Sequence, residues 1–166
     1  MTTKVIVTGF LAIPGMTQYK HNVMMQWALE DVGRFWHDTI RAKHFTKAGA
    51  REYEYQPRSG EPGKVPRKGY WSSYTARKQR LLGHTQPLMW SGETERATRK
   101  RDIRATSKSV TIKFHAPPYF NYRPENWREL TEVSRRDEEA MTDRLTGRIM
   151  TAYETCPDVE VTVYTE

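Results

Sequence analysis

Five histidines, His21, His37, His44, His84 and His115, are the side chains that could relay a proton or hold a soft metal. Helical metal ligands usually sit three or four residues apart, so that they share a face. His37 and His44 are seven apart, about two turns of a helix. That spacing reads as exposed or hydrogen-bonded histidines. Glu30-Asp31 and Asp137-Glu138-Glu139 are the acidic clusters. The first lies beside an apolar stripe, and the second sits at a helix start, where carboxylates favour the helix dipole. A nuclease needs carboxylates converging on a metal from different elements. The chain carries no Walker loop, GxGxxG, HExxH, GxSxG or CxxC pattern. The expectation is a protein with no catalytic residues, no metal and no cofactor.

The remaining chemistry is cationic and aromatic, and it is concentrated between Lys43 and Ala105. Arg77, Lys78, Arg80, Arg96, Arg99, Lys100, Arg101 and Arg104 form a candidate basic patch. Such a patch binds nucleic acid by releasing counterions from phosphates, with strong salt dependence. The plainer reading is a solvated face, or one that pairs with acidic groups on a neighbour. Phe45, Tyr53, Tyr55, Tyr70, Trp71, Tyr74, Pro87, Leu88 and Trp90 are the candidate interface residues, because Trp and Tyr in open segments are the usual hot spots. Pro87-Leu88-Met89-Trp90 looks like an anchor entering an apolar pocket. Its plainer reading is that Leu88 and Trp90 close the domain's own core.

The chain has 166 residues, a net charge of +7, 37% hydrophobic and 28% charged residues. That fits one domain, 1–166, with one modest core. Cys156 is the sole cysteine, so no internal disulfide forms, which fits a reducing compartment. The apolar run from Val5 to Pro14 is too short for a transmembrane helix and has no cleavage pattern. A cytoplasmic location when made is expected, with no membrane partner. From Arg41 to Lys108 there are 17 Lys/Arg against 6 Asp/Glu, and elsewhere 10 against 14. A split charge gives a basic face and an acidic face. Either the basic face meets nucleic acid, or faces of neighbouring copies meet head to tail in a ring.

These residues need elements to hold them. Lys4 to Phe10 reads as a first strand, broken by Pro14-Gly15. Thr17 caps a long helix to about Lys43, with an apolar stripe at Tyr19, Val23, Met24, Trp27, Ala28, Val32, Phe35, Trp36 and Ile40 that is expected to face the core. Residues 44–74 show no sustained period and hold many Gly and Pro, yet they are rich in aromatics. They read as an extended arm that orders on assembly, the whole basic and aromatic arm spanning 44–100. Within it, Ser73 or Thr75 starts a short helix stopped by Gly83, and another runs from Ser91 or Gly92 to Lys100. Residues 102–106 and 109–115 form a hairpin about Ser107-Lys108. Pro117 to Pro124 is a rigid aromatic loop, and Arg128 to Val133 reads as another strand. Ser134 caps a second long helix to about Tyr153, with Asp137 at capping-box spacing. Val159, Val161 and Val163 alternate in a final strand. The fold class is α+β: an antiparallel or mixed sheet packed by a long N-terminal helix and a C-terminal helix, with a long arm or loop.

The order of these features resembles the tail-completion, or head–tail joining, proteins of long-tailed bacteriophages. The resemblance rests on Trp36 near the end of the first helix, then Lys43-His44-Phe45-Thr46-Lys47-Ala48-Gly49-Ala50 and Tyr53-Glu54-Tyr55-Gln56-Pro57-Arg58. It continues through the basic helix to Gly83-His84-Thr85-Gln86-Pro87-Leu88-Met89-Trp90-Ser91-Gly92, then Glu93 to Arg101 and the hairpin. It covers about residues 30–116; the later helix and last strand agree in order. It implies a virion structural protein whose copies assemble into a ring, commonly six-fold, at the neck or upper tail. Its partners would be copies of itself, a head-completion or connector protein, a tail tube or tail terminator protein, and DNA in the lumen. Residues 44–100 would make the inter-subunit or inter-ring contact. The alternative is a small basic nucleic-acid-binding protein.

Overall fold

Thr17 opens the first helix as its cap: its hydroxyl accepts from the Lys20 amide at 3.3 Å. The structure, a computed structural model, describes residues 2–6, 16–122 and 124–154. Helix α1, Gln18–Phe35, leads directly into a π-helical segment, Trp36–Ile40, and a last short turn α2, Arg41–Lys43. The long first helix expected from the sequence is present. Its buried face carries Met24, Met25, Ala28, Leu29, Val32 and Gly33. Two aromatics assigned to that face lie elsewhere: Tyr19 is 77% and Trp27 71% exposed. The stripe was wider than one packing face, and burial follows the Leu29 side of it.

Strands β1 (Thr2–Ile6), β2 (Arg101–Ala105) and β3 (Ser109–Phe114) make an antiparallel sheet in the order β1-β3-β2. The hairpin between β2 and β3 is the expected one, closed by the Thr106 amide donating to the Ser109 carbonyl at 2.8 Å. Residues 7–10 and Pro14-Gly15 of the first-strand expectation, and the final strand at Val159 to Val163, lie outside the described residues. On central strand β3 the alternation sends Val110, Ile112 and Phe114 to one face, where all three are buried. That face receives α1. Trp36 stacks on Phe114 with ring centroids 5.9 Å apart. Phe120 and Trp127 meet edge to face at 4.9 Å and close one end of the core.

Residues 128–131 are helical, so the strand expected over 128–133 is corrected. Helix α6, Pro124–Thr131, starts on a proline, which suits a first helical position because its missing N–H has no helical partner there. Six residues of mixed polarity fit either period; Trp127 and Leu130, three apart, turn toward the core. Helix α7, Arg135–Glu154, then packs along α1. The pair is clamped where Arg144 and Arg148 each donate twice to the Asp31 carboxylate, at 2.6 to 3.1 Å. These hydrogen bonds, Arg144 first, hold the Asp31 carboxyl down to about 2. Among the described residues no helix is long and apolar enough to cross a membrane.

Two helical glycines test this packing in opposite directions. A Cβ on Gly33 would stand 2.8 Å from Val110 Cγ2 and 3.3 Å from Ile103 Cγ2, so the glycine lets α1 lie close on the sheet. Gly147 has open space around it. Gly33→Ala is expected to lower stability by about 1–2 kcal/mol net, overpacking outweighing the helix propensity gained. Gly147→Ala is expected to raise it by about 0.5–1 kcal/mol. Urea unfolding of both variants checks the pair.

Candidate interaction surface

The joint between helix α1 and the segment that follows is built around one buried carboxylate. Asp137, in the first turn of α7, has no solvent exposure. Its Oδ1 accepts from Lys43 Nζ at 2.6 Å, and its Oδ2 from the Tyr53 hydroxyl at 2.7 Å and from Ser134 Oγ at 2.8 Å. The Asp137 amide donates back to Ser134 Oγ at 3.2 Å. Ser134 and Asp137 therefore form the expected reciprocal cap. Aspartate takes the place of the usual glutamate while also receiving Lys43 and Tyr53. Its pKa is lowered; burial acts to raise it, and the Lys43, Tyr53 and Ser134 hydrogen bonds outweigh that.

Beside it, His44 stacks on Tyr53 at 4.0 Å between ring centroids. The Tyr55 hydroxyl donates to the Glu129 carbonyl at 2.7 Å, so its lone pair receives His44 Nδ1–H at 2.5 Å. This fixes His44 as the Nδ1–H tautomer. Its Nε2 is buried without a partner. Protonation would bury an unpaired N–H on a cation, and burial accordingly pulls the His44 pKa down to about 4. Tyr53 and Tyr55 are both pushed up, chiefly by burial. Arg58 makes an ion pair with Glu129, itself raised by burial against the opposing guanidinium.

Residues 44–52 are thus not extended. Helix α3, Lys47–Glu52, is capped by Thr46, whose hydroxyl accepts from the Gly49 amide at 3.0 Å. A Cβ on Gly49 would come within 2.1 Å of the Lys43 carbonyl, which demands glycine there. Further along, α4 (Tyr74–Leu82) is capped by Ser73 and stopped by Gly83 at φ 70°, and α5 is Glu93–Arg99. Both short helices match the sequence reading. The expectation of no regular structure in 44–74 is corrected at Lys47–Glu52 and Tyr70–Ser72, while residues 53–69 hold neither helix nor strand; local caps and the Asp137 joint fold the first part onto the body.

The candidate interface residues separate into three groups. Phe45 and Tyr53 are buried in the subunit's own packing, so they are not available to a partner. Tyr55, Pro87, Leu88 and Trp90 are half-buried, and Leu88 adopts φ 51°, uncommon for a non-glycine residue. Tyr70 (47%), Trp71 (73%) and Tyr74 (39%) are open, with Tyr70 edge-on to Trp71 at 5.5 Å and Tyr74 tilted on Trp90 at 5.4 Å. Tyr19 and Trp27, missed as surface residues, flank a groove of about 720 Å³ between α1 and α7. The signal was the excessive width of the α1 apolar stripe.

The basic patch also divides. Lys78 is 2% exposed and is corrected from a surface cation to a buried one; its ammonium donates to the Gln86 carbonyl. Arg99 pairs with Glu95 at 2.6 Å, Arg104 with Asp102 at 2.9 Å, and Arg101 with Asp38. Arg101 also donates to His37 Nδ1 at 2.8 Å, while His37 Nε2–H donates to the Thr98 carbonyl at 2.9 Å. Arg41 donates to the His37 carbonyl and to Thr98 Oγ1 at 3.0 and 2.9 Å. This cluster bolts α5 to the π segment. Arg77, Arg80, Arg96 and Lys100 make no ion pair with a described residue. Among the described residues no three His, Cys, Asp or Glu side chains group to hold a metal. The chain matches no protein-family model, no curated protein and no solved structure.

The His44 tautomer makes stability pH-dependent. Its folded pKa lies below the ordinary 6.5, so its contribution is complete above that value and is lost as pH falls toward about 4. The ceiling is roughly 3 kcal/mol. Glu129, raised, acts in the opposite sense; the lowered Asp137 acts below its ordinary 3.8, outside this window. Urea unfolding at pH 7, 5.5 and 4.5 is expected to show a falling stability that His44→Gln flattens or reverses.

Proposed function

We propose that this chain is a structural protein of a bacteriophage virion, a tail-completion or neck subunit. Its copies form a ring, six-fold on the pattern of the family it resembles. The ring joins the head connector to the tail tube around the DNA channel. It meets a head-completion or connector protein on one side and a tail tube or tail terminator protein on the other. The subunit is made in the host cytoplasm and works in the virion. No catalysis and no cofactor belong to this reading.

One observation carries it. Residues that carry the resemblance form a joint, and candidate interface aromatics form a face next to it. Trp36, Lys43, His44, Gly49, Tyr53 and Tyr55 set the fold of the joint, by burial, stacking or bonds to α6 and α7. Tyr70, Trp71 and Tyr74 stay open beyond it, with Arg77 and Arg80 on the adjoining helix. A rigid joint that carries an open aromatic and cationic stretch is what an inter-subunit contact needs, because aromatics supply hot spots and charge fixes the partner. The part of the arm that takes up its partner is 62–74, and an acidic neighbour surface suits its cations. The unpaired Arg77 and Arg80, three apart on one helix face, also favour the nucleic-acid-binding alternative.

Imaging of purified particles is expected to show the protein as a ring between head and tail tube. The combined change Arg77→Glu, Arg80→Glu, Arg96→Glu is expected to block incorporation into particles while the isolated subunit's DNA affinity changes less than about threefold. A DNA affinity that falls more than about tenfold with assembly intact would move the assignment to nucleic-acid binding.

A further inference from the structure

Between α3 with the chain after it and α4 with the loop at 84–88 lies a pocket of about 650 Å³. Lys78 forms part of its wall. That ammonium has three donors; one goes to the Gln86 carbonyl, and the charge lies over the Tyr74 ring, 5.6 Å from its centroid, with no carboxylate of a described residue paired to it. Thr75, one turn earlier on the same helix face, also lines the pocket, is 7% exposed, and has an Oγ1 with no partner. A buried charge without a full partner set is destabilising, and burial pulls the Lys78 pKa down to about 8. Glu54 and Glu61 also line the wall, and Glu61 already accepts from the Arg58 amide at 2.7 Å. Arg51 and Arg58 add positive charge to the wall, while Tyr70 and Leu88 make it partly apolar.

The unmet donors call for a carboxylate, and the apolar walls call for neighbouring hydrophobic side chains. One stretch of this chain has both. After Arg148 the sequence holds four carboxylates and no lysine or arginine, and from Asp158 it reads Asp-Val-Glu-Val-Thr-Val-Tyr. In an extended peptide of that sequence Asp158, Glu160 and Thr162 fall on one side and the valines on the other. Helix α7 begins beside the pocket, with Asp137 bonded to Tyr53, and ends at Glu154, about 25 Å further along its axis. At about 3.3 Å per extended residue, Asp158 and Glu160 stand only about 13 and 20 Å of chain beyond Glu154, so a second copy is the better source of these two carboxylates.

We propose that this pocket receives an acidic, valine-rich peptide, namely residues 155–166 of a second copy, with a carboxylate on Lys78 and Thr75. The contact is head to tail, the kind that closes rings, and it rests on the subunit-assembly reading above.

The test is fluorescence anisotropy of a labelled synthetic 155–166 peptide titrated with the full chain under reducing conditions. Saturable binding is expected, weakened about tenfold or more when the peptide carries Asp158→Asn, Glu160→Gln and Glu166→Gln. Lys78→Met in the full chain is expected to weaken it as much, with Lys108→Met, an exposed cation in the hairpin turn, leaving it within about twofold. Should Lys78→Met fail to fold by circular dichroism, Thr75→Val takes its place, with a weakening of at least about threefold expected. Equal binding of the acidic and neutralised peptides overturns the proposal, as does no binding. Displacement of the peptide by inorganic phosphate or acetate at equal millimolar concentration overturns it in favour of a small-anion site. A ring seen in particles without peptide binding removes the pocket and keeps the ring; peptide binding without a ring does the reverse.

Discussion

A single carboxylate out of reach of water, Asp137, sets how three distant parts of the chain meet. It takes Lys43 from the end of the first helix, Tyr53 from the segment after it, and Ser134 from its own helix start. A charge in that position is tolerated because its acceptor sites are filled, and loss of one donor leaves the others facing an undersatisfied ion. The arrangement trades affinity for geometry: one group fixes the angle between α1 and α7 and the direction in which residue 53 leaves the body. Everything from Glu54 to Trp90 is placed relative to that point.

On the far side of the joint the same residue types serve different ends. Tyr53 and Tyr55 have their hydroxyls bonded and their rings stacked with His44, so they act as structural pins. Tyr70 meets Trp71 edge-on, and both keep much of their surface in water. The arginines divide likewise. Arg41 and Arg101 bind the π segment to α5, whereas Arg77, Arg80 and Arg96 make no ion pair with a described residue.

What was legible in the sequence was local. Caps such as Ser73, Gly83 and the Ser134–Asp137 pair depend on residues a few positions apart, and the hairpin about Ser107-Lys108 depends on alternation within a dozen residues. The 3.6-residue period of α1 was equally plain, but its phase was not. Whether Trp27 or Leu29 faces the core depends on where the sheet and α7 lie. Burial of Tyr53 depends on Asp137, 84 residues away. The burial of Lys78 depends on a backbone carbonyl at Gln86 and on a loop with an unusual turn at Leu88. Residues 128–133 were misread because so short a window carries both periods, and the proline at 124 was the better guide.

The π segment Trp36–Ile40 has a consequence for which length changes the lineage of this protein can tolerate. A π turn holds about one residue more than an α turn, by its i→i+5 bonding, and one residue rotates all later side chains by about 100° around the axis. Here the addition brings Trp36, His37, Ile40, Arg41 and His44 all inward. A one-residue deletion between Val32 and Phe45 would swing Arg41 away from Thr98 and His44 away from Tyr55 together, detaching α5 and the joint in one step. The exposed loop from Pro62 to Gly69 faces no such restriction. The subunit's own fold therefore tolerates length changes there, where only the partner contact proposed for 62–74 limits them, while the spacing across the π segment must stay constant for the fold to be kept.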